Sequence, residues 1–173
     1  KDEGLLEKPF TADDLIDALI KLREQDAPGI KFFITTRVRT IFIAGDPEGN
    51  KERRRRYERL VLAGCNADFI GFESGSDEQL GNRYRKDSSV YENECALEVL
   101  SEVGLAVSKG FMTFDVLMED INEILEDIAF IRRNRLAADY RDSFSSAHFC
   151  CVRAKSILYR WIRKIEQKRG IKI

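Results

Sequence analysis

The stretch formed by residues 67–87, ADFIGFESGSDEQLGNRYRKD, decides the fold predicted for this chain. Its apolar residues end in Gly71, Phe72 and Glu73, which is typical of a buried strand with a carboxylate at its tip. A Ser-Gly-Ser turn follows, and then the basic residues Arg85 and Lys86. A strand that ends in this way places charged groups where a ligand can bind.

The composition is that of one globular domain. The chain has 173 residues, a hydrophobic fraction of 43% and a formal net charge of −1, so we predict a single domain over residues 1–173. Lys and Arg total 29 against 30 Asp and Glu, so no overall field favours nucleic acid or an acidic membrane surface. The apolar runs are shorter than the ~20 residues of a membrane helix, and the first ten residues form no signal peptide. We therefore expect a cytoplasmic protein without a membrane partner.

Apolar residues alternate between helical and strand spacing along the chain. Helices are predicted over 11–25, 51–64, 89–104, 119–134 and 156–170, with a short one that begins at Ser76. Strands are predicted over 30–36, 68–73, 105–115 and 147–152, residues 40–44 are interpreted as a further extended piece, and 46–49 as a turn. The alternation predicts an α/β fold of parallel βα repeats, open or closed into part of a barrel.

Several predicted helix ends have capping signals. Thr11 precedes the first helix with Asp14 three residues later, and Ser89 with Glu92 forms a capping box before a later helix. Gly64 and Gly104 are predicted as the glycines that terminate two helices.

The predicted strands end in charged or hydroxyl residues. These are Arg37 after the first strand, Glu73 and Ser74 after the second, Asp115 after the third and Arg153 after the fourth. Parallel strands bring their carboxyl ends to one edge of a sheet, where ligands of such folds bind. One polar residue where a strand surfaces is ordinary, but four such ends indicate a polar edge above an apolar core.

The cysteines do not predict a metal site. Cys65, Cys95, Cys150 and Cys151 have no metal-knuckle spacing, and His148 with Cys150 would supply two ligands where zinc takes four. Reduced thiols of a cytosolic protein are the favoured interpretation.

A run of four arginines, residues 53–56, suggests nucleic-acid binding. Four consecutive positions point to every side of a helix, so they cannot form one reading face. A solvated helix start is therefore favoured over a nucleic-acid surface.

The chain resembles the later part of the radical S-adenosylmethionine (SAM) superfamily core, closest to its cobalamin-associated branch. The resemblance rests on ADFIGFESGSDEQL, on Arg85 twelve positions after Glu73, on the helix end LSEVG and on the strand GFMTFD. FITTRV is similar to the preceding strand with its arginine, LVLAG to the helix end before the glutamate strand, and CCVRAKSILYRW to the last barrel strand. The similarity runs from about residue 11 to about residue 170.

The resemblance implies a partial (βα)6, TIM-like barrel that holds SAM across its strand ends. In this family a reduced [4Fe-4S] cluster, bound by three cysteines, gives an electron to the sulfonium and produces a 5′-deoxyadenosyl radical that attacks a substrate C–H bond. The cobalamin-associated branch also implies cobalamin in a separate domain, although the residues of this chain leave that domain open. The substrate, a small molecule or a peptide, is open as well.

The resemblance implies six cofactor-binding residues at the strand ends. They are Arg37, Glu73, Ser74, Arg85, Lys86 and Asp115. Glu73, with Ser74, is expected to accept hydrogen bonds from the ribose hydroxyls or the amino group of SAM, and Arg85 or Lys86 to pair with its carboxylate. The arginine after the first strand could also reach the carboxylate, and the aspartate after the third could contact adenine or substrate.

One departure from the family is large. The three-cysteine loop needs spacings of four and three residues, and no pair of cysteines in this chain has either. We therefore expect the cluster ligands in missing upstream sequence, and we expect the 173 residues alone to be inactive. The alternative is a non-catalytic α/β module that binds a nucleotide or a partner without a cluster. In either case the apolar strand 30–36 predicts self-association or pairing with the missing part.

Overall fold

A computed structural model describes residues 11–112, 121–136 and 157–170 of the chain. In chain order the elements are α1 (Ala12–Gln25), β1 (Phe32–Thr36), α2 (Val38–Ile41), α3 (Pro47–Leu62), β2 (Cys65–Glu73), a π-helical turn (Gln79–Arg83), α4 (Val90–Val103), β3 (Ala106–Phe111), α5 (Ile121–Arg133) and α6 (Ile157–Arg169). Each described strand is followed by a helical segment, as the predicted alternation requires, but two helices rather than one lie between β1 and β2.

The three described strands form a parallel sheet in the order β1-β2-β3. Thr36 at the end of β1 lies beside Ile70 of β2, and Glu73 at the end of β2 lies beside Phe111 of β3. The carboxyl ends of all three strands therefore meet at one edge, which confirms the predicted parallel arrangement.

The core lies between the sheet and helices α2, α3 and α4. Its buried side chains are Val38, Ile41, Tyr57, Cys65, Ile70, Phe72, Ala96, Leu100 and Leu105. Buried and more exposed residues alternate along β2, as expected for a strand with one face on a core. On the opposite face of the sheet, Phe33 is 73% and Phe69 is 41% exposed.

The predicted capping boxes of α1 and α4 are present. The Ser89 hydroxyl accepts a hydrogen bond from the Glu92 N–H at 3.2 Å, and the Glu92 carboxylate accepts one from the Ser89 N–H at 2.9 Å. Glu92 also accepts a hydrogen bond from the Ala44 N–H at 2.8 Å, so this cap ties α4 to the loop after α2. Gly104 ends α4 with φ at 79°, a conformation that favours glycine.

Two predictions for residues 40–49 are wrong. The predicted extended piece begins inside α2, where Val38 and Ile41 are buried at the three-residue spacing of a helix and the Thr40 N–H donates to the Arg37 carbonyl. The predicted turn at 46–49 is the start of α3. Asp46 is its N-cap, accepting from the Gly49 N–H at 3.1 Å, and proline occupies the first helical position.

The arginine run on α3 is engaged in ion pairs within the chain. Arg53 pairs with Asp46 and Arg56 with Asp13. Arg54 pairs with Glu58 and Glu102, and Arg55 with Glu52. Because each of these guanidinium groups has a carboxylate partner among the described residues, the four arginines do not form a row of free cations on α3.

Some sequence expectations concern residues outside the described part. The predicted strand at 147–152 and the end of the strand predicted over 105–115 fall there, together with Arg153. β1 forms one edge of the described sheet, and the self-association expected from it stays a prediction. No helix within the described ranges is long and apolar enough to cross a membrane.

A buried carboxylate lies under the sheet. Asp68 on β2 is fully buried, and its Oδ2 accepts hydrogen bonds from the Thr36 hydroxyl at 2.7 Å and the Tyr57 hydroxyl at 3.2 Å. Its other oxygen has no hydrogen-bond partner among the described residues. Burial raises the pKa of Asp68 above its usual value of 3.8, although the two hydroxyl donors oppose this shift.

We predict that Asp68→Asn changes the pH dependence of stability. Because burial raises the pKa of Asp68 in the fold, its contribution to stability is fully present below the unfolded value of 3.8 and is lost as the pH rises through the folded pKa. The free energy of unfolding of the variant, relative to the wild type, should therefore increase between about pH 4 and pH 7. Urea unfolding at several pH values measures this difference, and a difference independent of pH would contradict the prediction.

Candidate functional site

Four of the six predicted site residues lie together at the carboxyl edge of the sheet. Arg37 follows β1 and Glu73 ends β2, while Arg85 and Lys86 return to this edge after the π-helical turn. An open cavity of about 400 Å³ lies here. Its lining residues are Arg37, Val38, Arg39, Gly71, Arg85, Lys86, Asp87 and Ser88. The predicted convergence of the strand ends is therefore present for β1 and β2.

Glu73 is held in an unusual backbone conformation. Its φ is 65°, and the Ser74 N–H donates to the Phe72 carbonyl at 2.8 Å, so the backbone makes a tight three-residue turn about Glu73. This γ-turn with positive φ is rare and strained. The Glu73 carbonyl accepts from the Met112 N–H at 2.8 Å, and the register between β2 and β3 shifts at this point. The strand thus turns sharply where it presents its carboxylate.

The Glu73 carboxylate lies over Gly71 and pairs with Lys86. The Lys86 ammonium donates to Oε1 of Glu73 at 2.8 Å, and the Glu73 side chain is 22% exposed. A Cβ at Gly71 would lie 2.5 Å from the same oxygen, so glycine leaves the room that the carboxylate occupies. Gly71 pairs with Gly110 of β3, where a Cβ would lie 3.2 Å from the Gly71 Cα. Glycine at both positions therefore leaves room for neighbouring side chains, the Glu73 carboxylate at Gly71 and the Phe69 ring at Gly110.

The turn after Glu73 is fixed by Asp127 of α5. One oxygen of its fully buried carboxylate accepts hydrogen bonds from the Ser74 hydroxyl at 2.8 Å and the Gly75 N–H at 2.7 Å. The Ser74 hydroxyl in turn accepts from the Ser76 N–H at 2.9 Å. Burial raises the pKa of Asp127, and the two hydrogen bonds oppose this shift. Because Ser74 is fully buried and bonded to Asp127, its hydroxyl holds the turn and lies away from the cavity.

Two further contacts hold the segment between β2 and the cavity. The Asn93 amide of α4 donates to the carbonyls of Phe72 and Ser74, at 3.3 Å each, and so clasps the residues on both sides of Glu73. Arg83 in the π-helical turn forms a bidentate pair with Glu123 of α5, with both N–O distances at 2.6 Å. The Arg83 guanidinium is therefore held in an ion pair within the chain, whereas Arg85 has no such partner among the described residues.

The cations of the cavity differ in whether they have partners. Lys86 pairs with Glu73. Arg39 donates a hydrogen bond to the backbone carbonyl of Asp87 at 2.9 Å, and the Asp87 carboxylate lies 3.9 Å from the same guanidinium. The guanidinium groups of Arg37 and Arg85 have no hydrogen-bond or ionic partner among the residues that the structure describes. Arg85 also has a positive φ, 49°.

The remaining predicted site residue, Asp115, lies outside the described residues, as do His148, Cys150 and Cys151. Within the described ranges no group of three or more Cys, His, Asp or Glu residues could hold a metal ion. Cys65 is buried in the core and Cys95 is half-buried on α4.

Comparison with known proteins was made by sequence and by structure. The chain matches no protein-family model. It is 34% identical over 124 residues to 4′-phospho-dehydrooxetanocin synthase of Priestia megaterium, an alignment that covers 69% of this chain and 16% of that protein. The chain is related to the cobalamin-associated radical SAM enzymes.

The solved structures agree with this relation at the level of the fold. The cobalamin-dependent SAM radical enzyme OxsB superimposes with a TM-score of 0.69 with aqua-cobalamin bound, and of 0.70 with aqua-cobalamin and SAM bound. Sequence identity is 22% in both, and 96% and 98% of this chain are covered. The chain spans 28% of the length of OxsB and 16% of the curated relative. Its fold is accordingly part of an α/β barrel, as predicted.

Sequence reasoning missed Asp127 and Asn93, the two side chains that fix the Glu73 turn. Asp127 lies on a helix face with buried Glu123 and Phe130, at spacings of four and three residues. Acidic residues on a helix usually indicate a face in contact with solvent. The one signal against that interpretation was Phe130, three residues after Asp127 and so on the same face of the helix.

We predict that glycine at position 73 stabilises the fold relative to alanine. Its positive φ costs about 1–2 kcal/mol for a residue with a Cβ, so Glu73→Gly should have a higher free energy of unfolding than Glu73→Ala. The matched control is position 52 in α3, where glycine should instead be less stable than alanine by about 1 kcal/mol. Chemical denaturation measures the free energy of unfolding of the glycine and alanine variants at both positions. If alanine is the more stable variant at position 73 as well as at position 52, the backbone at Glu73 is not strained.

We also predict that Gly75→Ala weakens the contact between the turn and α5. A Cβ at Gly75 would lie 2.3 Å from the Phe130 Cβ and 3.2 Å from the Glu126 carbonyl oxygen, so the turn or the helix must move. We expect a loss of about 1–3 kcal/mol in the free energy of unfolding. Gly81→Ala is the control because no atom lies within 4 Å of its added Cβ. Equal unfolding midpoints for the two variants would contradict the described packing.

Proposed function

We propose that this chain is the part of a radical SAM enzyme that holds SAM at the carboxyl ends of its strands. The observation that supports this most directly is the Glu73 carboxylate, presented by a strained turn at the sheet edge and paired with Lys86. Backbone strain of this kind clusters at ligand sites, where surrounding contacts maintain it. Asp127 and Asn93 provide those contacts here.

The groups at this edge match the chemistry of SAM. The ribose hydroxyls and the ammonium group of SAM are hydrogen-bond donors, and a carboxylate such as Glu73 is an acceptor for them. The SAM carboxylate needs a cation, and Lys86 and Arg85 are adjacent in sequence and line the same cavity. Gly71 leaves the room that the Glu73 carboxylate occupies beside the cavity. Ser74 contributes to this proposal through the turn that it stabilises.

The described residues do not fit a [4Fe-4S] cluster. Such a cluster takes thiolate ligands, whereas Cys65 is buried and burial raises the pKa of its thiol. Cys95 alone cannot supply the three thiolates that the family uses. We therefore assign SAM binding to these residues and no radical step. Cobalamin, which the OxsB structures contain, belongs to the proposal for the whole protein and is assigned to none of the described residues.

A non-catalytic nucleotide-binding module is the second candidate function. The Glu73 carboxylate supports it too, because the same acceptor could take hydrogen bonds from the ribose of another nucleotide. The two candidates differ in whether the intact protein converts bound SAM to 5′-deoxyadenosine under reducing, anaerobic conditions. Formation of that product supports the enzyme, and SAM binding without it supports the module.

We predict that Glu73→Ala weakens SAM binding to the intact protein by about 1–3 kcal/mol, because it removes one or two charge-assisted hydrogen bonds. It also leaves the Lys86 ammonium without its carboxylate, which disfavours the cationic end of SAM. The control is Glu102→Ala, which removes a more exposed carboxylate, 55% against 22% for Glu73, that also pairs with a cation, Arg54 on α3. Calorimetric titration with SAM measures both, and unchanged affinity in Glu73→Ala would reject the site.

A further inference from the structure

We propose that Glu123 of α5 is a positioning residue for the candidate site: through its ion pair with Arg83 it sets where Lys86 stands beside Glu73. The inference rests on the proposed function and goes beyond it, because neither Glu123 nor Arg83 is among the eight described residues that line the cavity. It begins from two observations, the π-helical turn between the two halves of the site and the ion pair that joins this turn to α5.

The turn at Gln79–Arg83 has a hydrogen-bond pattern that is rare in proteins. The Tyr84 N–H donates to the Gln79 carbonyl at 2.9 Å, five residues earlier, whereas an α-helix would join it to the Leu80 carbonyl. Such turns occur frequently at functional sites. Because the geometry is rare, we expect contacts from outside the turn to maintain it.

Glu123 supplies these contacts from α5. Its carboxylate accepts hydrogen bonds from two guanidinium nitrogens of Arg83, at 2.6 Å each, and from the side-chain amide of Gln79 at 3.3 Å. Gln79 is the first residue of the turn and Arg83 is the last, so one carboxylate joins both ends of the turn. Glu123 is only 7% exposed, and removing one partner of a buried ion pair is strongly destabilising. The turn is therefore firmly attached to α5.

The geometry of the turn determines where Lys86 lies. After Arg83 the chain reverses at Arg85, whose φ is 49°, and the Lys86 N–H donates to the Leu80 carbonyl in the turn at 2.8 Å. Closing the turn to an α-helical pattern removes one residue from it, which rotates the following residues by about 100° about the helix axis. The Lys86 ammonium would then leave the Glu73 carboxylate, from which it lies 2.8 Å. The position of this cation therefore depends on the turn that Glu123 holds.

Two carboxylates of one helix thus hold the two halves of the site. Glu123 and Asp127 lie four residues apart on the buried face of α5. Asp127 fixes the residues directly after Glu73, and Glu123 fixes the turn from which the chain returns to Lys86. A single helix therefore sets the separation between the acceptor and the cation of the site. A ligand that contacts both groups meets an arrangement formed in advance.

The first test needs no SAM. A carbodiimide joins a carboxylate to an amine that touches it, so the yield of the Glu73–Lys86 cross-link in the intact protein, read by mass spectrometry, measures their pairing. We expect Glu123→Gln to lower this yield about fivefold or more. The matched control is Glu94→Gln, which removes the carboxylate that pairs with Arg133 of α5 at 2.6 Å. It should cross-link like the wild type. Equal yields in Glu123→Gln and the wild type, or an equal loss in Glu94→Gln, would overturn the inference.

The second test asks whether Glu123 affects SAM binding through Lys86. Calorimetric titration with SAM compares Glu123→Gln, Lys86→Met and the double variant of the intact protein. We expect each single variant to bind about tenfold more weakly, and the double variant to match Lys86→Met within about twofold, because the cation that Glu123 positions is then absent. If the two single losses multiply in the double variant, Glu123 does not act through Lys86 and the inference fails.

Arg83→Lys keeps the experiment decisive if Glu123→Gln does not fold. Lysine retains the positive charge beside Glu123 but lacks the planar fork that makes both hydrogen bonds, so we expect the same fall in cross-link yield. An unchanged yield in Arg83→Lys would overturn the inference. The proposed function is judged separately: it fails if SAM affinity does not respond to Glu73→Ala, and the cross-link yields then still decide whether Glu123 positions Lys86.

Discussion

The candidate site depends on one buried carboxylate. Asp127 of α5 accepts hydrogen bonds from the hydroxyl of Ser74 and the amide of Gly75, and so fixes the chain directly after Glu73. A backbone with positive φ at a non-glycine residue persists only where its surroundings enforce it. Asn93 enforces it from α4, and Asp127 from α5. The two helices on either side of β3 in the chain thus hold the backbone from which the Glu73 side chain projects.

The same carboxylate illustrates a cost of building a site from buried polar groups. The second oxygen of Asp127 is buried without a hydrogen-bond partner among the described residues, and so is one oxygen of Asp68 under the sheet. Buried carboxylates with incomplete hydrogen bonding destabilise a fold at neutral pH. The apolar core between the sheet and its helices offsets this loss of stability. Near the turn, the packing of Phe130 against Phe72 and Phe111 contributes further stabilisation. Local precision at Glu73 is therefore obtained at the expense of overall stability.

The sequence predicted the elements well where local signals agree with each other. The capping box at Ser89, the glycine stop at Gly104 and the strand that ends at Glu73 are all present in the structure. It predicted residues 40–49 poorly, because β-branched and apolar residues in α2 are compatible with a strand until their burial is known. The Asp-Pro start of α3 was a readable signal that was interpreted as a turn.

For the site, the sequence identified which charges gather at the sheet edge but not how they are shared. Parallel strand ends must meet, so Arg37 and Glu73 could be placed at one edge from topology alone. Which cation pairs with Glu73 is set by the path of the chain through the π-helical turn, and no local pattern specifies it. A consequence of the parallel sheet concerns the order of folding: Phe33 pairs with Ala67, and Ala67 with Ala106, so each contact must close a long loop. Within those loops α3 and α4 have their own side-chain caps, so we expect them to form early, whereas we expect docking of the strands to come late and to limit the folding rate. The cavity at the strand ends is then among the last features to assemble.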